Sequence, residues 1–202
     1  MTEPESDGPG NWKEDPGVVL MLQVQAGDEQ AFEQLVLLYQ GPAFAMLRRI
    51  LGPRESVEDL AQEAFLRVWR SRDRFRPDGK FATFLYRVIY NLALNRIRDS
   101  SRKPLHALPT DPAGNPLDPS AEPQEPLLPP LDREVWADRI GWALLALPEN
   151  QRAALVFQHY DGLELTEIGS ILGISPPAVK SLLHRGRERL RQILAPHWNA
   201  EK

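Results

Sequence analysis

The 202-residue chain contains no cysteine, and its four histidines are scattered without a His-Glu-x-x-His or comparable ligand spacing. A disulfide framework and a thiolate metal centre are thereby excluded, and no metal site is expected. No Gly-x-x-x-x-Gly-Lys-Ser/Thr loop occurs, so the sequence offers no phosphate cradle for nucleotide hydrolysis. No nucleophile–base pair or carboxylate dyad stands in a recognisable catalytic spacing either. Neither a catalysed reaction nor a cofactor is expected. Long apolar runs are missing as well: the longest near the N-terminus, Val18 to Leu22, is far too short to cross a bilayer, and no basic-then-apolar leader precedes it. The expectation is a cytoplasmic protein without membrane contact. Alternating strand patterns of useful length are also absent, which leaves an all-α fold.

What the chain does have is unevenly distributed. The formal net charge is −4, but residues 1–19 carry five acids against one lysine and residues 20–103 fourteen bases against ten acids. Residues 104–132 then carry five acids and no base, and residues 133–202 nine bases against eight acids. Basic bodies thus alternate with acidic connectors. Residues 1–19 read as a disordered acidic tail, because the Glu3-to-Gly10 run has no apolar period. Residues 103–131 are rich in proline and read as an extended linker, since proline denies helix and central strand alike. The predicted plan is two helical domains, 20–102 and 132–195, with a short tail at 196–202.

In the first domain Asp28 opens a helix carrying Phe32, Leu35, Val36 and Tyr39 in period, continued by Phe44, Leu47 and Leu51 beyond a kink expected at Gly41-Pro42. Ser56 with Asp59 approximates a capping box for the next helix, with Leu60, Ala64 and Trp69 inward. A loop from Asp73 to Lys80 precedes a long helix over 81–102. In the second domain helices are expected over 132–147 and 148–160, followed by two more. The first of these places Leu165, Ile168, Gly169 and Leu172 on one face and ends at Gly173, suited to a left-handed cap. Ser175 and Pro176 are a cap residue and a first-position proline for the second. Its stripe of Val179, Leu182, Leu183, Leu190 and Leu194 faces a core, while Lys180, Ser181, His184, Arg185, Arg187 and Arg191 fall mainly off it. Two short helices around a tight turn, the second basic, form a helix-turn-helix able to lie in a DNA major groove.

The first domain makes the pattern specific. Ser56-Val-Glu-Asp-Leu-Ala-Gln-Glu-Ala-Phe-Leu-Arg-Val-Trp69, Phe75-Arg76 and Phe81-Ala-Thr-Phe-Leu-Tyr-Arg-Val-Ile-Tyr-Asn-Leu-Ala-Leu-Asn-Arg-Ile-Arg98 resemble the core of a bacterial RNA polymerase sigma factor of the small extracytoplasmic-function (ECF) type. Leu147-Pro-Glu-Asn-Gln-Arg152, Tyr160-Asp-Gly-Leu163 and the helix-turn-helix are similar to that family's second domain. Both domains stand in the family's order, across roughly residues 20–102 and 133–195.

The resemblance implies an initiation factor that brings core RNA polymerase to specific promoters and assists melting. It implies polymerase binding through Asp59, Leu60, Gln62 and Glu63. Minus-ten DNA falls to Phe75, Arg76, Lys80, Phe84, Arg87, Asn91 and Arg98, with Phe75, Arg76, Lys80 and Asn91 favoured because aromatic platforms flanked by cations hold single strands. The minus-thirty-five element falls to Ser175, Lys180, Ser181, His184 and Arg185. The partners implied are core RNA polymerase, promoter DNA and an anti-sigma factor, and the acidic linker is expected to thread a cationic polymerase channel. The chain departs from the family at Phe84, usually tryptophan, and at Asn95, often aspartate. It departs again at Leu182, commonly arginine, and at Gly186, commonly alanine, where a DNA contact is expected to be lost. Two other readings remain at this stage: a helix-turn-helix regulator acting without polymerase, which predicts tight, salt-sensitive duplex binding by the free chain, and an all-helical enzyme.

Overall fold

A computed structural model describes residues 12–53, 55–102 and 133–199. The first eleven residues of the acidic tail, the 103–131 linker and residues 200–202 lie outside them. Every regular element among the described residues is helical, as the sequence predicts.

Helix α1 (Pro16–Gln25) starts earlier than composition suggests. Asp15 accepts a hydrogen bond from the Val18 amide at 2.9 Å and Pro16 takes the first turn, so residues 16–19 are helix rather than tail. Trp12–Glu14 precede it as a short 3-10 turn. Helix α2 (Glu29–Leu51) is capped by Asp28 and continues as one element through Gly41-Pro42. Pro42 removes one backbone donor, but buried Leu35 on one side and Ala43, Met46 and Leu47 on the other hold the helix to the core across the gap. Helix α3 (Glu58–Ser71) lacks the capping box read from Ser56 and Asp59. Val57 occupies the cap position and is buried, while the Ser56 hydroxyl donates to the Glu58 carboxylate at 3.1 Å. Burial of a valine outweighs a side-chain cap there.

Helix α4 (Phe81–Arg102) crosses this bundle with Phe81, Leu85, Ile89 and Ala93 on one buried line. The second domain comprises α5 (Arg133–Leu145), α6 (Glu149–His159), α7 (Leu165–Leu172) and α8 (Pro176–Asn199). Gly173 ends α7 with φ +69°, the left-handed residue the sequence called for. Helix α8 continues through Pro196, so residues 196–199 belong to it rather than to a tail.

The two domains are not separate bodies. Buried residues of both form one contiguous cluster, from Val18 and Met21 to Val179 and Leu183. At the seam Phe157 of α6 is fully buried between Tyr86 and Tyr90 of α4, with ring centroids 6.4 and 5.8 Å away. The Tyr90 hydroxyl donates to Asn150 at 2.6 Å. Arg152, only 8% exposed, donates to the carbonyls of Ile50 and Leu147, tying α6 to the C-terminal end of α2. A cation there complements the negative end of the helix dipole, and buried hydrogen bonds offset part of the cost of its desolvation.

Candidate nucleic-acid interface

The loop between α3 and α4 is fixed from α1. The Gln25 side-chain amide donates to the carbonyls of Arg72 and Asp73 at 3.0 and 3.2 Å, and the Asp15 carboxylate that caps α1 also accepts from the Phe81 amide at 3.4 Å. One side chain at each end of α1 thereby sets where α4 begins. Phe75 is the consequence: it is 4% exposed, with its ring 6.2 Å from Phe81 and 5.4 Å from Phe84. The aromatic platform expected at Phe75 is in this conformation a core ring, because it packs on Phe81 and Phe84, one turn apart at the start of α4, and buries more area there than it would facing solvent.

The cations expected beside it do converge. A cleft of about 1330 Å³ is lined on this side by Trp12, Arg74, Arg76, Lys80, Phe84 and Arg87. Arg76 and Arg87 are exposed, Phe84 is half-buried, and Asn91 and Arg98 are exposed farther along α4. The opposite wall is α7 of the helix-turn-helix. Glu167 accepts from Lys80 at 3.1 Å and from the buried Thr83 hydroxyl at 3.4 Å, and Arg87 donates to the Ser170 hydroxyl. Sequence reasoning missed Trp12, Arg74 and Thr83. Arg74 stood in a visible run of arginines, but the other two enter the cleft only through the 3-10 turn before α1 and the packing of α7 on α4.

On α3 the expected acidic face is present. Asp59 and Gln62 are exposed and Glu63 half-buried, while Ala61, Ala64, Phe65 and Val68 line the core. Glu63 accepts from Arg67 at 2.8 Å, and that bond, with the charges of Arg67 and Arg70, holds its carboxyl below the usual range. Leu60 is half-buried and packs against the core, inward as its position in the helix predicts. Leu66, 45% exposed and one helical turn beyond Gln62 and Glu63, presents the apolar surface that Leu60 does not.

On α8 Ser175, Lys180, Ser181, His184 and Arg185 are all exposed. The Ser181 hydroxyl donates to the Pro177 carbonyl at 3.2 Å. Leu182 and Gly186, where the resemblance implies a lost DNA contact, are packing positions in this chain. Leu182 lies against the core, and Gly186 is buried where an added Cβ would stand 3.0 Å from a Leu155 methyl.

Residues 35–103 match Sigma-70 region 2, and residues 138–190 match Sigma-70 region 4. The chain is 38% identical over 176 residues to the ECF RNA polymerase sigma factor SigW of Bacillus subtilis, a match covering 85% of this chain and 93% of that protein. It is 32% identical over 184 residues to the ECF RNA polymerase sigma-E factor of Escherichia coli K12, covering 88% and 94%. Among solved structures, CnrH in complex with the cytosolic domain of CnrY superposes with a TM-score of 0.64 at 26% identity, over 90% of this chain and 98% of that one. With the cationic cleft on one domain, the basic recognition helix on the other and relatives matched along nearly their whole length, the chain belongs to the ECF sigma factors of RNA polymerase.

Proposed function

We propose that the α4 cleft captures the opened nontemplate strand of the minus-ten element while α8 reads the minus-thirty-five element. The observation that carries this is the convergence of Arg74, Arg76, Lys80 and Arg87 around the half-buried ring of Phe84, with a second cationic face at Lys180 and Arg185. Cations track phosphates, and an aromatic edge holds a base by stacking. In this role Phe84 takes the place the sequence assigned to Phe75. Unstacking costs on the order of 1.4 kcal/mol per step, and stacking a base on an aromatic side chain returns about 1–3 kcal/mol. A few captured bases therefore offset the first steps of opening, and polymerase supplies the rest. The factor contributes binding energy and positioning, with no reaction of its own.

Polymerase binding is assigned to the α3 face of Asp59, Gln62, Glu63 and Leu66. Its carboxylates and amide on adjacent turns suit arginines and lysines of a partner helix. Among the described residues no helix is long and apolar enough to cross a membrane, which fits action in the cytoplasm, where polymerase and promoter meet. An anti-sigma partner is proposed from the likeness to CnrH, solved with CnrY. Runoff transcription with core polymerase and a promoter library tests the central reading: the chain is expected to yield promoter-specific transcripts, and their complete absence refutes it.

A further inference from the structure

Two tryptophans of the first domain sit in opposite surroundings. Trp69 is covered by Phe32, with ring centroids 4.9 Å apart, and by the Arg72 guanidinium at 4.4 Å, and it packs against the core. Trp12 is half-buried and lies outside the core cluster, and among the described residues no aromatic ring or guanidinium covers its indole. Nor does it staple α1, because that role belongs to the residue just before the cap, here the charged Glu14. Neither core packing nor helix capping accounts for where this indole stands.

Its position is nonetheless fixed. The Trp12 carbonyl accepts from the Asp15 amide at 3.2 Å, and the Asp15 carboxylate accepts from the Phe81 amide at 3.4 Å, so two hydrogen bonds connect Trp12 to the first residue of α4. Trp12 thereby lines the same cleft as Arg74, Arg76, Lys80, Arg87 and Phe84, the last of these one turn into α4. The cleft volume of about 1330 Å³ exceeds the roughly 300–1,000 Å³ of a site for one small molecule, which leaves room for more than one nucleotide. Charge is divided within this wall. Glu14 and Asp15, close to Trp12 in the chain, repel phosphate, whereas the three arginines and the lysine attract it. A strand laid here follows the cations with its backbone and turns its uncharged bases toward Trp12.

We infer that Trp12 is a second stacking platform for the opened strand, taking the unpaired base next to the one held by Phe84. The inference rests on the reading of the α4 cleft as the strand-binding site, and it extends that site past the end of α4 onto the turn before α1. Aromatic platforms on successive bases tolerate any sequence, because every base has a π-face, so Trp12 adds affinity for open DNA more than choice of sequence. An indole offers the larger face of the two, and Phe84 is already engaged edge-on with Phe75 at 71°.

Holoenzyme assembled from the full-length chain and core polymerase provides the test, read by the anisotropy of a fluorescein-labelled, mixed-sequence twelve-nucleotide single strand with core polymerase alone as the blank. Trp12→Ala is expected to lower affinity by about 5–20-fold, the lower part of the range for one lost base stack. Trp12→Leu, which keeps apolar bulk without a π-face, is expected to lose as much, and Trp12→Phe to stay within about twofold of the wild type. The thermal midpoint of each variant is expected to stay at the wild-type value, because the side chain lies outside the core. Unchanged affinity in both Trp12→Ala and Trp12→Leu, beside a loss in Lys80→Ala, overturns the inference and leaves the strand-binding reading of the cleft standing. A loss in Trp12→Phe equal to that in Trp12→Ala overturns it as well, since stacking is then not what the indole supplies. Unchanged strand affinity with weakened binding to core polymerase assigns the indole to a cation of a protein partner and overturns it too. If Arg76→Ala and Lys80→Ala also leave strand affinity unchanged, the reading of the cleft falls with it.

Discussion

Two glycines that look alike in the sequence carry opposite consequences. Gly17 lies in the first turn of α1, where an added Cβ would collide with the Tyr39 hydroxyl and stand 2.7 Å from the Phe81 Cβ. The second neighbour is fixed to the start of α4 and has no room to retreat. Gly17→Ala is expected to destabilise the fold by about 1–3 kcal/mol, measured as a lower urea midpoint. Gly186 meets the end of a Leu155 side chain at 3.0 Å, with Gln151 Cβ at an ordinary 3.5 Å, and Leu155 borders an open apolar groove of about 430 Å³ into which it can turn. Relief of the helix-interior glycine penalty, about 1 kcal/mol, should therefore exceed the repacking cost. Gly186→Ala is expected to raise stability by about 0.5 kcal/mol and leave minus-thirty-five binding unchanged; a gain in DNA affinity would return this position to the DNA face.

At the scale of elements, α3 and the loop after it show how a helix divides its sides between core and partner. Ala61, Ala64, Phe65 and Val68 turn inward, and Asp59, Gln62, Glu63 and Leu66 are left for a partner. Leu66→Ser removes an exposed apolar contact without opening a cavity. It is expected to weaken core polymerase binding by about 5–10-fold, read by fluorescence anisotropy, while the thermal midpoint stays within the small range of surface substitutions. Gln25→Ala breaks the link between α1 and the Arg72 and Asp73 carbonyls. The expected result is faster amide exchange over residues 72–76 and loss of minus-ten single-strand affinity, with α8 unaffected. A uniform rise in exchange across α4 would instead mean that Gln25 holds the whole bundle together.

At the scale of the molecule, the packing of the domains carries a pH signature at Asp161. One of its carboxylate oxygens is buried without a hydrogen-bond partner, and burial pushes its pKa up from 3.8 to about 6, with Arg49 of α2 pulling the other way. Arg49 also stacks over the adjacent Tyr160 ring at 4.1 Å, and Tyr86 of α4 is raised by its burial first and by the charge of Asp161 second. A raised carboxyl pKa makes the packed state relatively most favoured in acid: its contribution is full below about pH 4 and is lost as pH rises through about 6. Asp161→Asn should remove this dependence and stabilise the packed chain at pH 7.5 by about 1–2 kcal/mol, a figure reduced for the group's partial exposure. Thermal melts at pH 5 and 7.5 check it. A variant that keeps the wild-type difference between the two would place the titration elsewhere, and the comparison cancels exposed carboxyls such as Glu63, whose lowered pKa acts in the opposite direction.

The helix-turn-helix, the cationic run near residues 70–87 and the acidic face of α3 were legible from residue order, because helical period, a left-handed glycine and local charge are properties of neighbours along the chain. The same locality explains the errors. Ser56 looked like a cap until Val57 was buried, and Phe75 looked exposed until Phe81 and Phe84 packed on it. The sequence by itself therefore determined the helices, their amphipathic faces and the family to which they point. Only the tertiary structure decided that Glu167 meets Lys80 across 87 positions and that Phe157 seats between Tyr86 and Tyr90. Those contacts depend on which face of one folded domain buries the other, and no periodicity within either domain records that choice.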